Sequence, residues 1–334
     1  MITKIKSKYN ALPIQIRASF WFLICRFLQK GISVITTPIF TRLMTTAEYG
    51  QYNVFNSWLN IVSIVVTINL SSGMYTRGLV KYSDRKEKFS SSLQILTLLL
   101  TICWTLIYVI FHKEINNYSS LTTLQMLAMF VMIWTTAAFT FWIAEQRVDL
   151  NYQKLVTLTV IASIAKPLLG IILVINLDDK VTARIIGLAI VELIIYTGCF
   201  ISQVKRGGIH NIRCFWKDAL LFNIPLIPHY LSMTILNGAD KIMIERMIGA
   251  SESGIYSLAY SVAMVMGLFN SALIDTIVPW LYKKINVGDI KSIGKVAYPS
   301  WLLIGGINLL LIILAPELVS FFAPKPYQDR KSVV

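Results

Sequence analysis

Five ionisable residues fall in or at the ends of apolar stretches, and any chemistry this chain performs starts from them. Arg26 and Lys30 stand four residues apart in the first apolar run, hence on one helical face. At about 1.5 Å of rise per residue they lie a third to half of the way across it. Arg26 can snorkel to the nearer interface; Lys30 is too deep to do so easily, and the pair otherwise marks a shared polar cavity. Lys166, followed by Pro167, and Glu192 sit near the middles of two consecutive apolar runs. Antiparallel helices bring these opposite charges to matching depth. An intramembrane charge costs at least about 2.5 kcal/mol on insertion scales, so the two form either a structural salt bridge or part of a substrate or ion pathway. Asp240 closes another apolar run at Asn237-Gly238-Ala239-Asp240-Lys241, kinked by Pro225 and Pro228. Kinked spans with polar ends usually line a cavity, which makes Glu192 and Asp240 the candidate ion-coupling or structural carboxylates.

Reactive constellations are missing from this list. The chain has no phosphate-cradling glycine loop, no paired metal-ligand histidines, no aspartate pair of the glycosyltransferase kind and no extramembrane segment long enough for a catalytic domain. Neither enzymatic centre nor cofactor is expected. His229, beside Pro228, reads as a helix-packing hydrogen-bond partner more readily than as a proton relay, and Trp134 and Trp142 as packing residues more readily than as sugar platforms. Cys25, Cys103 and Cys199 fall in apolar runs and Cys214 in a loop, a pattern that sets no disulfide or metal framework.

The elements that must position these residues are membrane helices. Hydrophobic residues make up 55% of the chain, charged ones 14%, and the mean hydropathy is +0.63, against about a quarter charged in soluble domains. Nine apolar runs of about twenty residues centre near Cys25, Ile61, Ile102, Val131, Ile164, Val191, Ile227, Val262 and Leu309, which predicts an all-α polytopic membrane protein. The net charge of +14 would suggest nucleic acid in a soluble protein; here its placement in loops decides. Basic residues crowd alternate segments, whereas the opposite ones hold only Arg42, Lys113, Lys180, Lys241 and Arg246 before the tail. The positive-inside rule then puts the N-terminus in the cytoplasm and retains the first run as a helix. The most basic loop, Met74 to Phe89, faces anionic lipid, a short outer turn holds His112 to Asn117, and Arg184 reaches the outer interface.

The chain also repeats itself. A shift of 204 residues lays Arg42, Glu48, Gly50, Tyr52 and Ser57 on Arg246, Glu252, Gly254, Tyr256 and Ser261, the sign of duplicated helical halves. Thr45-Thr46-Ala47-Glu48 reads as a capping box, Gly50 and Gly254 as close-packing positions, and Asn56, Asn60 and Asn69 as a polar stripe. A basic linker with Gly207-Gly208 divides the chain into a six-helix N-terminal lobe (1–201), the linker (202–217) and a partial C-terminal lobe of three helices plus a tail (218–334).

These residues resemble a known family. Pro38-Ile39-Phe40-Thr41-Arg42 with Ala47-Glu48-Tyr49-Gly50, then Ile224-Pro225-Leu226-Ile227-Pro228-His229, Asn237 to Met243 and Gly254-Ile255-Tyr256-Ser257, are similar to bacterial lipid-linked oligosaccharide flippases. These are the O-antigen and polysaccharide transporter branch of the multidrug/oligosaccharidyl-lipid/polysaccharide exporter superfamily. The resemblance implies two six-helix lobes around a cavity that opens alternately to either side of the cytoplasmic membrane. The cargo it implies is an undecaprenyl-pyrophosphate-linked oligosaccharide, with Arg26, Lys30 and Lys166 as cationic hosts of the pyrophosphate. Membrane lipids, and a polysaccharide polymerase with chain-length proteins, are the implied partners. A cation antiporter of the same superfamily is the main alternative and a membrane polymerase a weaker one, since no large outer loop is present. Relatives complete the second lobe, so the chain is expected to be a fragment or frame-changed product, unstable or inactive alone.

Overall fold

Backbone amides in a bilayer must be satisfied within their own segment, and every described element obeys this by being helical. The computed structural model describes residues 14–72, 74–209, 214–264 and 289–314, with Gly267, Glu317 and Phe322. A few side chains within these helices, Arg26 and Lys30 among them, lie outside the described set. The helices are α1 (Ile14–Leu43), α2 (Thr46–Thr67), α3 (Met74–Lys81), α4 (Lys86–Ile110), α5 (His112–Ser119), α6 (Thr123–Val148), α7 (Tyr152–Asn176), α8 (Lys180–Gly207), α9 (Cys214–Asn223), α10 (Ile227–Met247), α11 (250–264) and α12 (Ile290–Ile313).

All nine predicted span centres fall in these helices. Six described segments are long and apolar enough to cross a membrane: Phe20–Leu43, Ser83–Ile110, Thr123–Val148, Tyr152–Asn176, Lys180–Gly207 and Phe215–Met247. The chain is an all-α polytopic membrane protein. Three local expectations are corrected. The basic loop after Met74 is mostly ordered as α3, a 3-10 turn at Ser83–Arg85 and the start of α4, and the turn at His112 is the helix α5. Asn237 to Lys241 do not end a span, because α10 continues one and a half turns further to Met247.

Capping chemistry sets the helix ends. Thr45 and Glu48 satisfy each other's backbone amides, the Thr45 amide donating to Glu48 Oε2 at 2.7 Å and the Glu48 amide to Thr45 Oγ1 at 3.3 Å. Thr122 and Gln125 repeat the box at α6. Lys180 Nζ donates to the carbonyl of Leu43 at 2.8 Å, closing the end of α1. Pro225 and Pro228 split the seventh run into α9 and α10 through a 3-10 turn at Ile224–Leu226, as residues lacking an amide proton must.

In the first half α8 is the central post, packed on α4, α6 and α7, while α1 packs on α7 and α10 on α2. One apolar core joins the end of α1 to α2, α6 and α8 around Phe40, Phe55, Met129, Ile133 and Ile185. A second lies at the basic end of the bundle, where Lys81, Lys86, Arg147 and Arg206 gather. There Tyr75 stacks on Phe89 with centroids 5.7 Å apart and meets Phe141 edge-on at 4.6 Å. Phe215 and Ala219 of α9 complete this core, and Trp216 Nε1 donates to the Ser92 carbonyl at 3.1 Å. Asp218 accepts from Lys81 Nζ at 2.9 Å and from the Tyr82 hydroxyl, so the helix that opens the second half is anchored to the first.

Candidate functional site

Helix boundaries reproduce the repeat register. α1 and α10 end at Leu43 and Met247, and α2 and α11 begin at 46 and 250, each pair 204 residues apart. The copies touch at their shared glycine. A Cβ placed on Gly50 would lie 2.0 Å from the Ala250 carbonyl oxygen and 2.8 Å from the Gly254 nitrogen. A Cβ on Gly254 would lie 2.0 Å from the Thr46 carbonyl oxygen and 3.2 Å from the Gly50 nitrogen. Since Ala250 is the repeat counterpart of Thr46, each contact is the other's image, which is the signature of a local two-fold axis. Alongside, Thr46 Oγ1 and Ser251 Oγ share a hydrogen bond of 2.9 Å. The copies differ at the preceding cap: Thr45 is extended, at φ −68°, whereas Gly249 takes φ +143°, a conformation closed to a threonine.

Beside this axis α2 and α10 enclose a cavity of about 440 Å³, walled by Asn56, Asn60 and Ser63 on one side and by Tyr230, Thr234, Asn237 and Lys241 on the other. Gly238 seats α10 against α2, where a Cβ would stand 3.3 Å from Ser57 Oγ. Asn56 and Asn237 each donate one amide hydrogen bond to the carbonyl four residues back, at 3.0 and 2.6 Å, leaving much of their hydrogen-bonding capacity for the cavity. Lys241 places its ammonium 4.3 Å from the centre of the Tyr260 ring. Among the described residues no carboxylate lies within ion-pair distance of it. Its neighbour Asp240 instead accepts from the Tyr256 hydroxyl and, at 2.9 Å, from the backbone amide of Lys241.

A second polar centre lies inside the first half. Lys166 Nζ is 2.6 Å from Glu192 Oε1, and the other carboxylate oxygen accepts from Thr136 at 3.1 Å and Thr135 at 3.4 Å. The ammonium also sits 4.8 Å from the Tyr196 ring centre. The pair joins α6, α7 and α8 and does not line the cavity. Thus Lys166 and Glu192 meet each other, Asp240 meets Tyr256, and the two carboxylates share no partner among the described contacts. Arg26 and Lys30 lie on α1, with side chains outside the described residues.

Sequence reasoning passed over a third centre, at the basic end. Glu145 is fully buried and receives Arg206 through two bonds of 2.9 and 3.0 Å and Gln203 Nε2 at 2.5 Å. Gln94 donates to Gln203 Oε1 at 2.6 Å and to the Ala138 carbonyl at 3.0 Å. Burial pushes the Tyr75 phenol well above its ordinary pKa, so its hydroxyl stays protonated, donating to Ser90 at 2.8 Å and accepting from Gln203 at 3.3 Å. The signal was available, since Gln94, Glu145 and Gln203 are polar residues in apolar runs, the same feature that singles out Glu192. Arg184, read from sequence as lying near the end of its span, is packed there on aromatic rings. Its guanidinium is held between Phe40 and Tyr52, 3.7 and 3.5 Å from their ring centres, a cation–π box that keeps it in the protein.

A family model described as polysaccharide biosynthesis protein matches residues 16–284. An uncharacterised membrane protein of Haemophilus influenzae is 23% identical over 326 residues, which cover 93% of this chain and 74% of that protein. Protein 1 of the Lsg locus of the same organism is 22% identical over 310 residues, covering 89% of this chain and 73% of its own. No solved structure matches the chain significantly.

Proposed function

Because the chain belongs to the polysaccharide biosynthesis protein family and is a multi-pass membrane protein, we propose that it carries an undecaprenyl-pyrophosphate-linked oligosaccharide, a unit of O-antigen or a related surface polysaccharide, from the inner to the outer leaflet of the bacterial cytoplasmic membrane. No bond is made or broken in this reading. Two lobes rock between inward-open and outward-open states, with the N-terminus cytoplasmic.

The observation that supports it best is the polar cavity between α2 and α10, one helix from each repeat, beside a local two-fold axis. The repeat register adds the cationic face. Arg26 and Lys30 are the counterparts, 204 residues back, of Tyr230 and Thr234, both of which line the cavity. In this reading Arg26, Lys30 and Lys241 host the pyrophosphate, while Lys166 and Glu192 serve as a structural pair within the first lobe. An exporter of organic cations would need a free carboxylate, and none is among the described cavity-lining residues.

Expression in a strain lacking its own flippase tests this, both of the chain as it stands and of a version extended to six helices in its second lobe. Restored surface polysaccharide from at least the extended version, with the single lipid-linked unit no longer accumulating on the inner leaflet, is the expected result. Inner-leaflet accumulation that persists with both despite normal insertion overturns it.

A further inference from the structure

The two-fold axis relates the backbones of the repeats but not the chemistry of their surfaces. On the α2–α10 side stand four carboxamides, Asn56, Asn60, Asn69 and Asn237, and their counterparts across the repeat are Tyr260, Met264, Leu273 and Ser33; the Asn69 carboxamide already accepts from the Ser72 hydroxyl at 2.9 Å. Conversely, Tyr230 and Thr234 on the amide side correspond to Arg26 and Lys30. Among the described residues, the α2–α10 side therefore combines neutral carboxamides with the single cation Lys241, whereas the sequence puts Arg26 and Lys30 at the matching positions of α1.

Carboxamides on a membrane helix are costly unless something uses them. Asn56 and Asn237 spend one donor each on their own helix, the Asn237 oxygen also accepts a long bond of 3.5 Å from the Tyr260 hydroxyl, and no hydrogen bond is found for the Asn60 carboxamide among the described residues. An amide carries two donors and two acceptor lone pairs, the pattern that sugar hydroxyls match. Resting on the transport reading above, we infer that Asn56, Asn60 and Asn237 bind the glycan of the cargo and set its specificity, while Lys241 and the α1 cations hold the anionic linkage. The carboxamides then distinguish one sugar from another, and the cations recognise the linkage that every cargo shares.

The test uses the full chain in vesicles with two cargoes, undecaprenyl pyrophosphate bearing a single sugar and the same lipid bearing a complete oligosaccharide. Asn60→Leu and Asn237→Leu keep side-chain size and remove hydrogen bonding. Each should slow oligosaccharide translocation about fivefold, leave the single-sugar lipid within about twofold, and be rescued in part by Gln at the same position. Where a Leu variant fails to insert, the Ser variant, which keeps one hydroxyl, is measured instead. Equal losses for both cargoes, or no loss for either, overturn the inference and leave the transport reading standing. Failure of both the unmodified chain and its extended version to move either lipid sinks the transport reading itself.

Discussion

Gly50→Ala probes the contact between the repeats directly. The added methyl would sit 2.0 Å from the Ala250 carbonyl oxygen, and ordinary contact begins near 3.4 Å, so the two backbones must part by about 1.4 Å. Neither side can yield by a rotamer change, because the obstructing atoms are main chain. Overpacking of this kind costs about 1–3 kcal/mol, against a gain of about 0.5–1 kcal/mol for alanine over glycine in a helix. A net loss of up to about 2.5 kcal/mol follows, read as a lowered thermal midpoint. Gly254→Ala should behave alike, and the double variant should cost less than the sum, since one separation relieves both clashes. Gly198, where an added methyl would have nothing within 4 Å, supplies the control, and Gly198→Ala should be neutral or slightly stabilising. Melting of the purified protein reads the stability. A disulfide between Thr46→Cys and Ser251→Cys, whose native hydroxyls are 2.9 Å apart, reads the separation and should form less readily with Ala at position 50. Gly50→Ala as stable as Gly198→Ala, or strict additivity in the double variant, would refute the two-fold contact.

Three further expectations concern charge. Glu192→Gln leaves the Lys166 ammonium without its carboxylate and should cost about 3–5 kcal/mol, more than Lys166→Met with Glu192→Gln together; a double variant as defective in transport as Glu192→Gln alone, with both normally inserted, points instead to ion coupling. Glu145→Ala removes the shared acceptor of Arg206 and Gln203, leaving Arg206 only the weaker pair with Glu87 at 3.8 Å and the Ser202 carbonyl, so protease sensitivity near Gly207 should rise, and unchanged digestion would show that the network does not hold the end of α8. Arg26→Ala with Lys30→Ala should reduce translocation without preventing insertion, and Arg26→Lys should restore only part, since a point charge lacks the bidentate fork; wild-type polysaccharide display from the double variant refutes that role.

What can be read in advance follows from how local each signal is. The Thr45–Glu48 box is a matter of four consecutive residues and is legible, as is the close approach of Gly50 and Gly254, because a repeated glycine has few other uses. The meeting of Lys166 and Glu192 needs one more step, that consecutive spans run antiparallel. Lys241 is misplaced by sequence alone because polar residues at Asn237, Asp240 and Lys241 imitate a helix end, whereas α10 continues to Met247 and its far end is tied down by Arg246, stacked 4.2 Å from the Tyr118 ring centre. That tie spans 128 positions, beyond any local pattern. The Glu145 network and the Arg184 box escape notice for the same reason, since each is built from several helices or helix ends that only the tertiary fold brings together.

The distribution of polar groups suggests how one chain can be both firm and mobile. At the basic end Glu145, Gln94, Gln203 and Tyr75 tie α3, α4, α6 and α8 into one body, and a Cβ on Gly207 would lie 2.1 Å from the Glu87 carbonyl oxygen, so α8 sits flush on α4. Inside the same half, Lys166 and Glu192 do this work for α6, α7 and α8. Between α2 and α11, by contrast, the contact rests on two glycines, one hydroxyl pair and a small apolar cluster in which Tyr49 meets Leu258. This contact carries no buried ion pair or carboxamide network among the described residues, so in the transport reading proposed above it is the place where two lobes would pivot while each keeps its own packing.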